Sequence, residues 1–362
     1  IKEGKMSKKV MIRDVAIGDG NPIAIQSMSN ADSRNEKKIT EQIRALEEAG
    51  CDIIRLAVPD RESLDVFRNI RTKTDIPLVA DIHFDYRLAV GSIEAGADKI
   101  RINPGNIGTL ENVKKVVDAA RLRNIPIRVG VNSGSLEKDI LIKNRGVTAE
   151  GLAESALRNV KVIEGFDYDN IVVSIKSSDV RMTFEAHKIA AAGTEHPFHI
   201  GITEAGTMRR GKIKSAAGIG GLLLSGIGDT IRVSLTADPI EEVRFAGELL
   251  ESIGFMESRY NLISCPTCGR TRIGLEELAS QVDMRLSSMD NLPKGLKIAV
   301  MGCVVNGPGE SAEADFGCCG GDGKGIIFAK GKVIKTVKEE NLADELINQR
   351  YQPATPSFLN AG

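Results

Sequence analysis

The 362-residue sequence has no tryptophan and only 4 Tyr and 10 Phe. That leaves too few rings for a base-stacking nucleic-acid platform. It has no excess of either charge: 48 Lys and Arg face 49 Asp and Glu, a formal net charge of −1. Nothing in that balance would draw the chain as a whole onto nucleic acid or an anionic membrane. No apolar run approaches the length of a membrane span. The basic opening IKEGKMSKKVMIRD is not followed by the apolar stretch of a signal peptide. No GxGxxG opens the first helical segment, so the dinucleotide fingerprint is missing. A cytoplasmic protein without nucleic-acid or membrane partners is the expectation. Cysteine is nearly absent from the first 260 residues, where Cys51 stands alone, whereas Cys265, Cys268, Cys303, Cys318 and Cys319 crowd the remainder. In a reducing compartment they form no disulfide framework. They mark the last hundred residues as a part with its own purpose.

What is present begins with a repeat. Eight runs rich in β-branched residues recur: PIAIQSM (22–28), DIIRLAV (52–58), PLVADIHF (77–84), DKIRINPG (98–105), PIRVGVN (126–132), NIVVSIKSSD (170–179), FHIGITEAG (198–206) and DTIRVSLT (229–236). Amphipathic stretches such as EKKITEQIRALEEAG (36–50) lie between them. The phrases EEAGCDIIR and EAGADKIR each close a helix on Gly and open a strand. Eight strands alternating with helices predict an α/β fold closed as a (β/α)8 TIM-type barrel over residues 1–258. An open doubly wound sheet is the runner-up. Ahead of the first strand, VMIRDVAIGDGNPIAI reads as a hairpin turning at GDGN and plugging the barrel bottom. The long SGSLEKDILIKNRGV (133–147) falls at the barrel top, where insertions serve function.

Side chains in a strand alternate with period two. Near the C-terminal strand ends this brings up Arg55, then Asp81 and His83, then Arg101 and Asn103. Arg128 and Asn132 follow, then Lys176, Thr203 and Glu204, and finally Arg232 and Ser234. Arginines and a lysine converging at one mouth make a cationic bowl suited to a phosphate or diphosphate. For any single Arg, a salt bridge inside the barrel explains the residue equally well. For the set it does not, because Asp81 and Glu204 are too few to neutralise it.

After the helix DPIEEVRFAGELLESIG (238–254) the composition shifts, and residues 259–362 read as a small α+β module. LKIAVMGCVVNGPGE is a strand entering a loop, GKGIIFAKGKVIKTV (323–337) a hairpin and KEENLADELINQRY (338–351) a final helix. Three metal readings compete for the cysteines. One is structural zinc on Cys265, Cys268, Cys303 and Cys318 or Cys319. The second is an iron–sulfur cluster on three or four of them. The third, a thioredoxin-like pair at CPTC, ranks last because no βαβ unit precedes it and it has no use for Cys303. Glu310 on spacing alone reads first as a solvated loop carboxylate. Placed beside Cys303, it would instead give a cluster one hard, exchangeable corner. Cys318 and Cys319 read as small packing residues, and Cys51 as a core cysteine.

SCPTCGRT and MGCVVNGPGE, together with SIKSSD, GITEAG and IRVSLT, closely resemble the 4-hydroxy-3-methylbut-2-enyl diphosphate synthase family, over essentially the whole chain. The resemblance implies a second domain like the halves of sulfite and nitrite reductases. It implies a [4Fe–4S] cluster on Cys265, Cys268, Cys303 and Glu310. The implied reaction is the two-electron ring opening and dehydroxylation of 2-C-methyl-D-erythritol 2,4-cyclodiphosphate, in isoprenoid biosynthesis. Carried over by matching strands, Arg55, Arg101, Arg128, Asn132, Lys176 and Ser234 hold the diphosphate. Asp81 and His83 line the same pocket, and Glu204 faces the reacting carbons. The resemblance also implies a flavodoxin or ferredoxin as electron donor and a homodimer in which one chain's cluster domain caps the other's barrel. One departure is Cys318-Cys319, where the family usually carries aliphatic or small residues. The alternative from another class is a zinc-stapled, phosphate-binding barrel: an aldolase or isomerase with Lys176 as a Schiff-base lysine.

Overall fold

The computed structural model describes residues 6–289, 292–303, 311–321 and 323–349. The chain divides between Met256 and Glu257 into two compact units. In the first, a hairpin of β1 (Val10–Ile12) and β2 (Val15–Ile17) precedes eight parallel strands. These are β3 (Ala24–Met28), β4 (Ile53–Ala57), β5 (Leu78–Asp81), β6 (Lys99–Ile102), β7 (Ile127–Asn132), β8 (Ile171–Lys176), β9 (His199–Ile200) and β10 (Thr230–Ile231). Each pairs with its chain neighbour from β3 to β8, while β10 pairs with both β3 and β9. A parallel bridge between Val173 and Phe198 joins β8 to β9 and closes the ring. The closed barrel, not the open sheet, is therefore the fold.

The helices between the strands follow from local sequence. Asn35 caps Glu36–Glu48, whose Ile39, Ile43 and Leu46 form the buried stripe. Asp60 and Ser63 close a capping box on Arg61–Arg71. Gly50 and Gly96, at the two echoing helix ends, both take φ 96°, a conformation that suits glycine.

The hairpin plugs the barrel floor as expected. Ile12 and Ile17 are fully buried in one apolar cluster with Ala24, Ile53, Val79 and Val172 from the strand starts. Its turn is not GDGN, however. Val15 pairs with Ile12, so the turn is Arg13–Asp14, with Arg13 at φ 55°. GDGN lies beyond β2 and leads into β3, with Gly18, Asp19 and Gly20 all left-handed. The strongest turn residues mark the link from β2 into β3, not the hairpin.

The second unit is a five-stranded mixed sheet of β11 (Tyr260–Ser264), β12 (Leu296–Met301), β13 (Phe316–Gly321), β14 (Lys324–Ala329) and β15 (Lys332–Lys338), in that order. β11 to β13 run parallel, and β14 and β15 antiparallel. The helices Leu275–Ser287 and Leu342–Ile347 pack on one face through Leu275, Val282, Leu286, Leu342 and Leu346. Among the described residues no helix is long and apolar enough to cross a membrane.

Candidate active site

The barrel's upper interior is crowded with cations. Arg55, Arg101, Arg128 and Lys176 are buried, and Arg232 reaches the same space with 18% of its side chain exposed. Asp81 on β5 is their nearest anion: its carboxylate takes Arg101 Nη1 at 3.0 Å and lies 3.7 Å from Arg55 Nε. Burial by itself would push the Asp81 carboxyl up. The charges of Arg55, Arg101 and Arg128 outweigh it and hold the group at about 2, so it stays ionised. Among the described residues the one other buried carboxylate close by, Glu242, accepts from the Leu235 N–H at 2.7 Å and stands 3.9 Å from Arg232.

Two acids do not balance five cations. Arg55 falls back on the Met28 thioether, a weak acceptor, at 2.7 and 3.1 Å. Arg128 has neither an Nε nor an Nη1 partner, and the Nε atoms of Arg101 and Arg232 are likewise buried and unpartnered. Burial, and after it the neighbouring arginines, lowers the Lys176 ammonium well below the ordinary lysine range. Burial likewise brings Arg55 down to about 10. A buried, under-neutralised set of guanidinium forks with free donors fits a multiply charged anion.

Beneath this layer lies another that the sequence did not single out. Lys99 is fully buried and donates to Gln26 Oε1 at 3.1 Å, and His199 bonds Thr230 Oγ1 at 2.8 Å. Space for the cations comes from glycine. A Cβ on Gly130 would sit 2.7 Å from Arg101 Nε, and one on Gly201 3.2 Å from Lys176 Nζ and 2.3 Å from Arg232 O. Lys99 shares strand parity with Arg101, so alternation along β6 could have found it. Glu242 falls on the buried stripe of its helix with Val243, Ala246 and Leu249, a signal readable in the helical period. The two glycines carry no such signal.

The remaining barrel candidates fall around this centre unevenly. His83 Nε2 lies 3.1 Å from Arg101 Nη1. With its amide turned so that the oxygen accepts, Asn132 takes Arg101 Nη2 at 3.3 Å. Asn103 is buried but caps the next turn, accepting from the Gly105 N–H at 3.1 Å. Ser234 is half-buried two residues past Arg232, and Glu204 is exposed on the loop after β9. Among the described residues neither of these two makes a side-chain hydrogen bond. Glu204 does hold φ 51°, a strained choice for a non-glycine residue and one that clusters at working sites.

In the second unit, Cys265 follows the end of β11 and Cys303 the end of the neighbouring β12. The two loops are tied together: the Gly302 N–H donates to Cys265 Sγ at 3.3 Å, and the Arg272 N–H to Gly302 O at 3.2 Å. Gly302 fits closely there: a Cβ would come within 3.0 Å of the Thr271 and Leu275 side chains, which would have to shift. Cys268 is exposed, and the Arg270 backbone N–H lowers its thiol, favouring the thiolate that binds soft metals. Burial instead raises Cys318 to about 12 and Cys319 to about 11, so both stay protonated in β13. Cys51 is a core cysteine, bonded to backbone carbonyls and raised by burial to about 12. Glu310 lies outside the described residues.

Among the described residues no group of three His, Cys, Asp or Glu is placed to hold a metal ion. Cys318 and Cys319, either of which the zinc reading needs as its fourth ligand, are buried in β13. Thiolates such as those of Cys265, Cys268 and Cys303 are the donor type that iron–sulfur clusters take.

Residues 7–247 match the family model described as the GcpE TIM-barrel domain, and residues 261–351 the one described as the GcpE protein C-terminal domain. The 4-hydroxy-3-methylbut-2-en-1-yl diphosphate synthase (flavodoxin) of Caldanaerobacter subterraneus is 56% identical over 349 residues, covering 96% of this chain and 98% of that protein. The protein of the same name from Clostridium acetobutylicum is 53% identical, covering 95% and 97%. Among solved structures, a dihydropteroate synthase from Stenotrophomonas maltophilia overlays 68% of this chain and 97% of its own with a TM-score of 0.50 at 12% identity, a likeness of barrel fold alone. With both units matched end to end, the chain belongs to the GcpE family.

Proposed function

We propose that the chain makes 4-hydroxy-3-methylbut-2-en-1-yl diphosphate, as its relatives' name says of them, from 2-C-methyl-D-erythritol 2,4-cyclodiphosphate. Two electrons and one proton enter, water leaves, and the opened diphosphate gains one negative charge. The observation that carries this reading is the barrel-top excess of buried cations, with Arg128 holding two unpartnered nitrogens.

Arg55, Arg101, Arg128, Lys176 and Arg232 grip the diphosphate, with Asn132 and Ser234 completing its hydrogen bonds. As the ring C–O bond breaks, charge grows on the phosphate oxygen, and the preset guanidinium groups stabilise it without reorganising. Asp81 stays ionised and aims Arg101 and Arg55, while His83 braces Arg101 from the rim. Glu204 delivers the proton to the departing hydroxyl. Cys265, Cys268 and Cys303, with Glu310 as fourth ligand, would hold a [4Fe–4S] cluster that supplies the electrons singly. The donor is a flavodoxin, as the relatives' name says of them, or a ferredoxin. The working form is a cytoplasmic homodimer with the site shared between chains.

Anaerobically purified protein is expected to be brown and to carry iron and acid-labile sulfide. Cys265→Ser, Cys268→Ser or Cys303→Ser should each remove both, and Glu310→Ala should loosen the cluster with the three cysteines intact. Colourless protein with one zinc per chain would sink the proposal.

A further inference from the structure

The β14–β15 hairpin, KGIIFAKGKVIKTVK (324–338), carries five lysines and no acid in a chain of net charge −1. Lys324, Lys330, Lys332, Lys335 and Lys338 are all exposed, with Val333 and Ile334 half exposed between them. Lys335 pairs with Glu345 at 2.7 Å and Lys338 with Glu340 at 3.4 Å. Among the described residues Lys324, Lys330 and Lys332 have no ion pair.

The register gives this charge a direction. β11, β12 and β13 run parallel, so Cys265 and Cys303 leave from the same end of the sheet. Gly321 at that end pairs with Lys324, and Lys324 directly faces Lys338 across the antiparallel pair. Met301, Cys319, Ile326 and Thr336 are cross-strand neighbours in one row. By strand alternation Lys324 and Lys338 project on that same face. Cys265, at the sheet's end, packs against the cluster on that face, which holds Met301 and Cys319 and no helix residue, as well as against the cluster under the helices. The two helices cover the opposite face. Strand spacing puts Lys324 about 10 Å and Lys338 about 15 Å across the sheet from the end of β12.

Lysine on an edge strand commonly guards against edge-to-edge pairing. That accounts for Lys332 and Lys335 on β15. It does not account for Lys324 on the inner strand, nor for two like charges placed directly opposite each other, which costs stability.

We propose that the Lys324–Lys338 end of this hairpin is the docking surface for an acidic electron-transfer protein, the donor that feeds the cysteine site. The inference rests on the reading above, in which Cys265, Cys268 and Cys303 receive electrons. Complementary charge at such a rim sets the encounter rate and the salt dependence. Interfaces of this kind are small and transient.

The test compares two double variants of equal charge change in the full-length protein. Lys324→Glu/Lys338→Glu alters the end beside the cysteines, and Lys330→Glu/Lys332→Glu the far end. Binding of oxidised flavodoxin is followed by calorimetry from low to high salt. The first variant should bind about ten-fold or more weakly and lose most of the salt dependence, while the second changes little. Turnover is then run with reduced flavodoxin and with reduced methyl viologen. The first variant should fail with flavodoxin alone. Equal effects of both variants on binding, or none, would overturn the docking surface. So would loss of methyl viologen turnover together with dimer dissociation in sedimentation, which would assign the face to a second copy. A wild-type chain that turns over with neither donor would sink the functional reading instead.

Discussion

Arg128 is among the largest fully buried side chains, and two of its nitrogens have no partner. Among the described residues Arg128 forms no ion pair; a buried cation so placed works against folding, and burial has already lowered Arg128 well below the ordinary arginine range. Arg128→Met should therefore raise the unfolding free energy of the ligand-free chain by about 1–3 kcal/mol in urea titrations. The same change should weaken inorganic pyrophosphate binding and cut kcat/KM by about 100-fold or more. A variant less stable than wild type, with pyrophosphate binding intact, would count against the bowl. Strand alternation made this residue readable, along with Arg55, Asp81, Arg101 and Lys176, because side-chain direction in a strand is local. Gly130 was not readable: its need to be small comes from Arg101, whose guanidinium occupies the space a Cβ would take.

The elements follow the same division. Periodicity located all eight barrel strands and the helices between them, since each pattern is complete within about ten residues. The hairpin turn was misplaced because GDGN holds stronger turn residues than Arg13–Asp14, and only the Ile12–Val15 pairing decides between them. The sequence reading assigns no strand at β13, only small packing residues at Cys318 and Cys319, because FGCCGG has no alternation and little side chain to bury. Its strand character comes from β12 and β14 on either side. The plug formed by the first hairpin is testable as an element. Ile12→Ala should cost about 2–5 kcal/mol by opening a cavity under Ile53 and Val79. Ile334→Ala, on the exposed strand β15, should change stability by less than about 0.5 kcal/mol. Similar losses for both would mean that the hairpin does not seal the floor.

At the scale of the whole molecule, each unit has its own core: one built on the barrel and its helices, the other on the five-stranded sheet. In the proposed reaction the cationic site of one and the thiolate site of the other act together, which is the reason for proposing a shared dimeric site. Mixing Cys303→Ser chains with Glu204→Ala chains one to one should restore about a quarter of wild-type activity, because half the dimers are mixed and each then has one intact site of two. Activity no higher than either homodimer's would put both sets of residues to work within one chain. The sequence by itself determined the barrel class, the second module, the inward-facing cations and the cysteine motif. All of these are written in short-range periods and in spacings along the chain. Only the tertiary structure decided that the cations outnumber their acids, that Glu242 reaches Arg232, that Gly130 and Gly201 hold open the space, and that Cys318 and Cys319 are sealed in a strand. Each of those depends on strands brought side by side, and no local pattern records what a residue will meet across a closed sheet.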